Sequence, residues 1–407
     1  MAELTFERLR DAVAGDAVAL RSRTTLQPAG GQGDKVFPPT YAVAQNAEHR
    51  YAVEERHHDG KVSTSVLLDS VASQANRAEL ALLEGWESGE LKFPVPLVDF
   101  GQEREIGDIG RLTVLEAPHR LADAIFRDSL LGGTLFRLSD AGRAITDAQP
   151  RNATALFQYS PTALVFGMWD STGPKGGLGS KFQRAYVSEI VGLDAQIGKK
   201  VGSRLDPLQI EREAVARQIF IHKDPDQVWT LEHSEAARKK GKPEIKGDGR
   251  PAEINHGNIA PSIDTDAGGV TISQAVQTTV LSLAALRRLR FSGHSRAAEI
   301  AARTAVAALG VASIAYQHEM DYDLRSRCLL IPEHPPRVEL VGRDGSPAEV
   351  VTIDRHAARN ILDRASSHAS DEGIGWQTDE MVMVPAPKLV ELIKRSRALS
   401  TTQQPSD

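Results

Sequence analysis

Basic side chains gathered in three stretches are the residues of this sequence best suited to chemistry. Between positions 171 and 205, six Lys and Arg residues stand against two acidic ones, so this stretch alone carries a charge of +4. It includes a glycine-rich loop from Gly173 to Lys181. Glycine lets a backbone approach phosphate closely, and lysine neutralises the phosphate charge. This loop is therefore predicted to follow a phosphate backbone. The second stretch lies between His233 and Pro261, and the third runs from Arg287 to Arg303.

Each basic stretch also has a simpler interpretation. A glycine-rich loop with lysines is often an ordinary solvated loop, and arginines at a helix end stabilise the helix dipole. The loop has no G-x-x-x-x-G-K-[ST] frame, which argues against ATP chemistry. Neither a G-x-S-x-G elbow nor a G-x-G-x-x-G frame occurs, and His318-Glu319 lacks a second histidine at zincin spacing. The sequence therefore indicates no cofactor, no metal and no enzyme.

The composition sets the class of protein. With 407 residues, 41% of them hydrophobic and 25% charged, the chain is expected to be globular. A net charge of −6 excludes a uniformly basic coat for nucleic acid, although not a local basic channel. The single cysteine, Cys328, cannot form an internal disulfide, and the first twenty residues contain no signal-peptide core. The sequence contains no uninterrupted run of about 20 apolar residues, so it does not predict a membrane span. We therefore expect a cytoplasmic protein.

Strands and helices are predicted without strict alternation, which favours an α+β fold. Arg21 and Arg23 follow a short first strand at 17–20. Apolar residues from Leu67 to Trp86 recur at helical spacing, so that Ser73, Asn76 and Arg77 share the polar face of one helix. Positions 273–290 are predicted to be a buried helix with a basic tip, and 296–309 a second helix ending at Gly310. We expect one elaborated domain over residues 1–400, with an exposed insertion at 233–261 and a flexible tail at 401–407.

Several motifs, in a fixed order, give the chain a resemblance to a known family. They are Val36–Thr40, Leu67–Arg77, Ser160–Asp170, Arg184–Gly192, Arg287–Phe291 and Leu324–Cys328. Together they resemble the CRISPR-associated RAMP superfamily, specifically the crRNA-binding backbone subunit of the subtype I-U, or I-G, Cascade interference complex.

The resemblance implies a modified RRM, or ferredoxin-like, palm with large insertions. Copies of such a subunit oligomerise along the crRNA, while base pairing by the guide reads the target DNA in antiviral defence. The other implied partners are further Cascade subunits and a recruited helicase-nuclease, and no membrane is involved. The subunit itself is not catalytic. A projecting thumb is typical of such proteins, and 233–261 is the candidate segment.

The sequence departs from an ordinary RRM, because the aromatic RNP signature is missing. Bases are therefore not expected to stack on the sheet, and backbone contacts would serve any spacer sequence. The residues predicted to contact RNA are Arg21, Arg23, Ser73, Asn76, Arg77, Lys175, Lys181, Arg184, Arg204, Arg287, Arg288 and Arg290. Arg and Lys would neutralise phosphates, and Ser73 and Asn76 would bond ribose or phosphate.

Two other functions stay open at this stage. A guide-processing RAMP endoribonuclease would need a general base, for which His57 and His58 are the first candidates. A protein-only structural scaffold would pair its basic stretches with acidic patches on a partner.

Overall fold

A computed structural model describes residues 2–44, 47–58, 60–171, 179–211 and 218–402. The chain divides into two compact units. The first comprises Met1–Tyr41, Tyr51–Gln196 and Val270–Val390, and the second comprises Ala42–Arg50, Ile197–Gly269 and Glu391–Asp407. Helices combine with mainly antiparallel sheets, so the predicted α+β class is confirmed.

The helices are α1 Phe6–Ala14, α2 Val71–Glu87, α3 Ala124–Arg127, α4 Asp140–Thr146, α5 Thr154–Tyr159, α6 Thr162–Phe166, α7 Leu283–Leu286, α8 Arg296–His318, α9 Arg355–Asp371 and α10 Pro387–Thr402. The strands are β1 Ala2–Glu3, β2 Ala17–Pro28, β3 Val53–His58, β4 Lys61–Asp69, β5 Leu97–Asp99, β6 Arg111–Thr113, β7 Ser129–Leu131, β8 Thr134–Leu135, β9 Met168–Trp169, β10 Lys181–Phe182, β11 Tyr186–Leu193, β12 Gln196–Ile197, β13 Lys200–Arg204, β14 Phe220–Ile221, β15 Trp229–Thr230, β16 Arg238–Lys239, β17 Lys242–Pro243, β18 Ile259–Asp264, β19 Val270–Thr271, β20 Gln274–Ser282, β21 Tyr322–Arg325, β22 Cys328–Pro332, β23 Arg337–Gly342, β24 Glu349–Thr352 and β25 Val382–Pro385.

Within the described residues, ten strands form the main sheet of the first unit. Its order is β1-β24-β23-β2-β20-β11-β4-β3, and β22 joins β2 with β21 beside it. Of these pairs only β1 and β24 run parallel. Four of these strands lie side by side in the order β23-β2-β20-β11. Numbered by their positions along the chain, this order is fourth, first, third, second. Helix α2 connects the first of them towards the second, and α8 connects the third towards the fourth.

The helices α2 and α8 pack on one face of the main sheet, which we call the inner face. α8 is rich in alanine and buried over most of its length. Its composition and length would suit a membrane span, but 83% of its most apolar window is buried, as in a core helix. Gly310 lies inside α8, where an added Cβ would be 2.6 Å from Leu281 Cδ1 of β20. The predicted cap at Gly310 is therefore wrong, because this glycine permits close packing of helix on strand.

Three further element predictions are corrected by the structure. Positions 273–290 form a strand, β20, and the single turn α7, instead of a buried helix. The first strand continues to Pro28, so Arg21 and Arg23 lie within β2 and not at its end. The helix predicted from Leu67 begins at Val71, because the Ser70 side chain caps it by accepting from the Ser73 amide.

A smaller sheet of the first unit has the order β6-β5-β25-β7-β8. Its strands β5 and β25 are parallel, with Val382 opposite Leu97. The segments that lead into these two strands, 91–96 and 376–381, therefore approach each other where they enter the sheet, and the Leu97 amide donates to the Met381 carbonyl there.

The second unit contains short antiparallel pairs, namely β13 with β18, β14 with β15, and β16 with β17. Asp206 holds one end of the first pair, because its carboxylate accepts from the Gly257 amide at 2.6 Å. The predicted insertion at 233–261 lies within this unit. The prediction of a single domain over 1–400 stays a prediction. Helix α10 includes the first two residues of the predicted tail at 401–407, and residues 403–407 lie outside the described residues.

Candidate nucleic-acid interface

Strand β2 places its side chains alternately on the two faces of the main sheet. Leu20, Ser22 and Thr24 are buried on the inner face, beneath the helices. Arg21 and Arg23 point to the opposite side, which we call the outer face. The structure thus brings two predicted RNA-contacting residues together on one surface.

A charge cluster surrounds Arg21 on the outer face. Arg21 lies opposite Glu339 of β23, and its Nε and Nη2 donate to Glu339 Oε2 at 2.8 and 2.6 Å. Arg337 Nε donates to the other carboxylate oxygen at 2.8 Å. Burial favours a higher pKa for Glu339, but the hydrogen bonds from Arg21 and Arg337 outweigh it and hold the pKa below its usual value. Glu339 therefore stays ionised and neutralises one of its two arginines.

Arg23 increases this positive charge. It lies directly opposite Arg337 in the β2–β23 register and opposite Thr278 in the β2–β20 register. Arg23 is exposed, and within the described part of the chain its side chain has neither a hydrogen bond nor an ion pair. Like charges directly opposite each other on a sheet repel. Among the described residues, Arg21 and Arg337 pair with the single carboxylate of Glu339. An anion placed over Arg23 and Arg337 would therefore relieve this repulsion.

The neighbouring outer-face positions of β20 and β11 carry Val276, Thr278, Val280, Val187 and Glu189. None of these is aromatic, in agreement with the missing RNP signature. Arg56 of β3 donates to Glu189 at 2.6 Å, so its charge is compensated within the protein. The surplus of cations is therefore concentrated at β2 and β23.

A second group of cations lies near the end of β20 and the start of β11. These two strand ends are adjacent, because Leu281 pairs with Tyr186. Lys181 Nζ lies 5.0 Å from the centroid of the half-exposed Trp169 ring. Arg288 Nη1 donates to Gln183 Oε1 at 3.2 Å, and Lys181 and Arg288 line one cavity of about 230 Å³. Arg184 is exposed in the segment between β10 and β11. We call Lys181, Arg184 and Arg288 the rim cluster.

The predicted contacts on α2 lie on the inner-face side. Arg77 Nε donates to Asp69 at 3.0 Å, and its Nη2 donates to the Leu324 carbonyl at 2.7 Å. Asp69 is buried and also receives bonds from Gln74 and Arg325. Asn76 is exposed, and Ser73 is partly buried. The structure therefore separates this group from Arg21 and Arg23.

The remaining predicted residues are also dispersed. Arg204 donates to the carbonyls of His256 and Gly257, Arg287 donates to the Ala17 carbonyl at 2.7 Å, and Arg290 pairs with Glu299 at 3.2 Å. Lys175, like positions 172–178 as a whole, lies outside the described residues.

Three functional candidates were not found by sequence reasoning: Arg337, Glu339 and Trp169. The alternation Arg337-x-Glu339 is a possible strand signal, but its partner Arg21 is more than 300 positions away. Trp169 belongs to a motif that carried the family resemblance, without a role of its own. Across the described residues, no group of three or more His, Cys, Asp and Glu side chains forms a possible metal site.

Fold and surface together define an α+β protein with a cationic patch on one face of an antiparallel sheet. Residues 20–197 match the sequence model of a family described as CRISPR-associated protein GSU0053. The match covers less than half of the chain, and it includes most of β2, all of α2, the rim residues Lys181 and Arg184, and β11. Over these residues the chain is similar to a CRISPR-associated protein family. No curated protein matches the chain.

Proposed function

We propose that this protein is a non-catalytic crRNA-binding backbone subunit of a type I CRISPR Cascade complex, of subtype I-U or I-G. Copies of it would oligomerise along the guide RNA in the cytoplasm, beside other Cascade subunits and a recruited helicase-nuclease. The observation that carries the proposal is the opposition of Arg23 and Arg337 on the outer face, where no carboxylate among the described residues pairs with Arg23.

The arrangement of the main sheet supports a RAMP-type palm. The order fourth, first, third, second for β2, β11, β20 and β23, with α2 in one crossover and α8 in the other, resembles the β-α-β-β-α-β pattern of a ferredoxin-like palm. The segment 197–269 is inserted between the second and third of these strands. We propose it as the thumb, so that the thumb would extend on both sides of the predicted 233–261.

The proposed contacts divide by chemistry. Arg21, Arg23, Arg337 and the rim cluster would neutralise phosphates, because guanidinium groups bind phosphate oxygens in pairs and lysine acts as a point charge. Ser73 and Asn76 would bond ribose hydroxyls. The outer-face positions described above offer no aromatic ring, so the face would accept any spacer sequence. The predicted contacts by Arg77, Lys175, Arg204, Arg287 and Arg290 stay part of this proposal.

Copurification tests the proposal most simply. The protein would be isolated from cells that express a CRISPR array together with the other Cascade subunits, and the bound nucleic acid would be sized. We expect RNA of one discrete length, released by salt because counterion release dominates phosphate binding. Recovery of protein free of nucleic acid, or with RNA of random length, would contradict the proposal.

The same preparation distinguishes the two alternatives. Cleavage of a CRISPR repeat transcript by the pure protein, lost in a His57→Ala/His58→Ala variant, would identify an endoribonuclease. Partner binding that is insensitive to salt and occurs without RNA would identify a protein-only scaffold.

A further inference from the structure

A groove of about 580 Å³ in the first unit lies away from the cations of the outer face and the rim cluster. Aromatic and proline side chains line much of it. They are Trp86, Phe93, Pro94, Pro96, Tyr159 and Trp376. Residues of the segments 91–96 and 376–381 line the groove together with Ser366, Ser367 and Ser370 of α9. The Leu97 amide donates to the Met381 carbonyl at 3.0 Å where the two segments enter β5 and β25. An extended ligand that follows these segments would contact both of them.

The aromatic rings of the groove are accessible. Trp86, Tyr159 and Trp376 are each only partly buried, whereas Phe93 beneath them is buried. Trp376 is held by Phe157, with ring centroids 6.1 Å apart. Its indole Nε1, shielded from solvent, has no acceptor among the described residues. Because solvent does not reach this nitrogen, Trp376 lines the groove through other atoms of its ring.

Charge at the groove argues for a protein segment and against a nucleic acid. Its exposed charged residues are Asp379 and Glu380 on one wall and Lys92 on the other, so the lining carries a net charge of −1. Two carboxylates repel phosphate and attract Lys or Arg. Cations are also attracted to the faces of tryptophan and tyrosine rings.

We propose that this groove binds an extended, proline-containing segment of a partner protein, with a basic residue beside the prolines. Proline-rich segments adopt a preformed extended helix and dock in aromatic-lined grooves. The rings of Trp86, Tyr159 and Trp376 would pack against the pyrrolidine rings. Asp379 and Glu380 would pair with the flanking cation. Such a site gives the protein an attachment point for another protein that is independent of the guide RNA.

Fluorescence anisotropy with a defined probe tests this proposal. The probe is a labelled ten-residue peptide with two Pro-Pro steps and an arginine at each end, titrated with the full chain. Two matched peptides replace the prolines with alanine or the arginines with glutamate. We expect each of these to bind at least about tenfold more weakly than the probe. A ten-nucleotide oligouridine without a label should not displace the probe.

Variants locate the binding on the protein. Trp376→Phe replaces the indole with a smaller ring, so less aromatic surface packs against the prolines, and we expect a three- to tenfold loss of affinity. Asp379→Asn/Glu380→Gln should weaken binding of the arginine probe about tenfold, but leave unchanged a probe in which alanine replaces arginine. Trp169→Phe, at the rim cluster, is the control and should have no effect. No binding of the probe at millimolar protein, equal binding of the alanine peptide, displacement by oligouridine, or equal affinity of the Trp376 and Trp169 variants would each overturn the proposal.

Discussion

The inner and outer faces of the main sheet both carry arginine, but they use it differently. On the inner side, Arg77 and Arg325 converge on the buried Asp69, and Arg77 also donates to a backbone carbonyl. On the outer side, Arg21 and Arg337 share Glu339, and Arg23 has no partner among the described residues. Inner arginines therefore complete internal hydrogen bonding, while the outer ones leave positive charge available to a ligand.

Polar residues dominate the centre of the inner face as well. Gln74 Oε1 accepts from Ser188 Oγ at 3.0 Å and from Gln277 Nε2 at 2.8 Å. Tyr322 donates to Gln277 Oε1 at 2.9 Å. Because a buried network is costly when one member is lost, substitutions here should change stability. Substitutions on the outer face should instead change binding, and the following predictions test this contrast.

The largest effect is expected for Asp69→Ala. It leaves the charges of Arg77 and Arg325 without their buried partner, and breaking a buried ion pair costs about 3–5 kcal/mol of unfolding free energy. Urea denaturation measures this loss. Asp363→Ala, which removes an exposed partner of Arg359 at 3.9 Å, is the matched control and should cost less than about 0.5 kcal/mol. Equal losses in the two variants would show that the inner network does not stabilise the fold.

A smaller effect is expected from pH at His318, whose Nε2 lies 3.0 Å from Ser22 Oγ on the inner face. Burial lowers the pKa of His318 to about 4. The unfolded chain takes up this proton near pH 6.5, and the folded protein does not, so stability is lost as pH falls from about 6.5 to 4. Partial solvent access limits the loss to about 2 kcal/mol.

His318→Gln isolates this contribution, because glutamine is neutral at every pH and keeps a hydrogen-bonding group. The difference in unfolding free energy between pH 7 and pH 4.5 should shrink by about 2 kcal/mol in the variant. An unchanged pH dependence would mean that the imidazole is protonated freely in the folded protein.

Arg77→Ala and Arg23→Ala compare the two faces directly. Arg77→Ala should lower the unfolding free energy by about 2 kcal/mol, since Asp69 loses a charged donor. Arg23→Ala should change it by less than about 0.5 kcal/mol, because the exposed Arg23 side chain has no hydrogen bond or ion pair among the described residues. Guide-RNA titrations of both folded variants then show whether Arg77 contacts RNA as well. Equal destabilisation by the two substitutions would remove the distinction between the faces.

Sequence periodicity predicted the helical character of α2 and α8, but it failed for β20. The inner positions of β20 include Gln277 and Thr279, while Val276 and Val280 lie on the outer face, so the usual alternation of apolar and polar residues is reversed. The polar network of the inner face thus hides the strand from a pattern based on hydrophobicity.

The site was predicted in part. Arg21 and Arg23 were named from their type and position, and the structure places both on one face. Glu339 and Arg337 were missed because their relation to these residues arises from the pairing of β2 with β23. No local sequence pattern contains that pairing, since β2 and β23 are neighbours in the sheet but lie far apart in the sequence.

The salt dependence of guide-RNA affinity tests the central claim most directly. The wild type would be compared with Arg23→Ala/Arg337→Ala and with Arg111→Ala, a control on the smaller sheet. We expect the double variant to bind any spacer at least about tenfold more weakly at low salt, and to lower the log–log salt slope by about two. The control should match the wild type. A double variant with an unchanged slope would contradict the assignment of the outer face to the guide RNA.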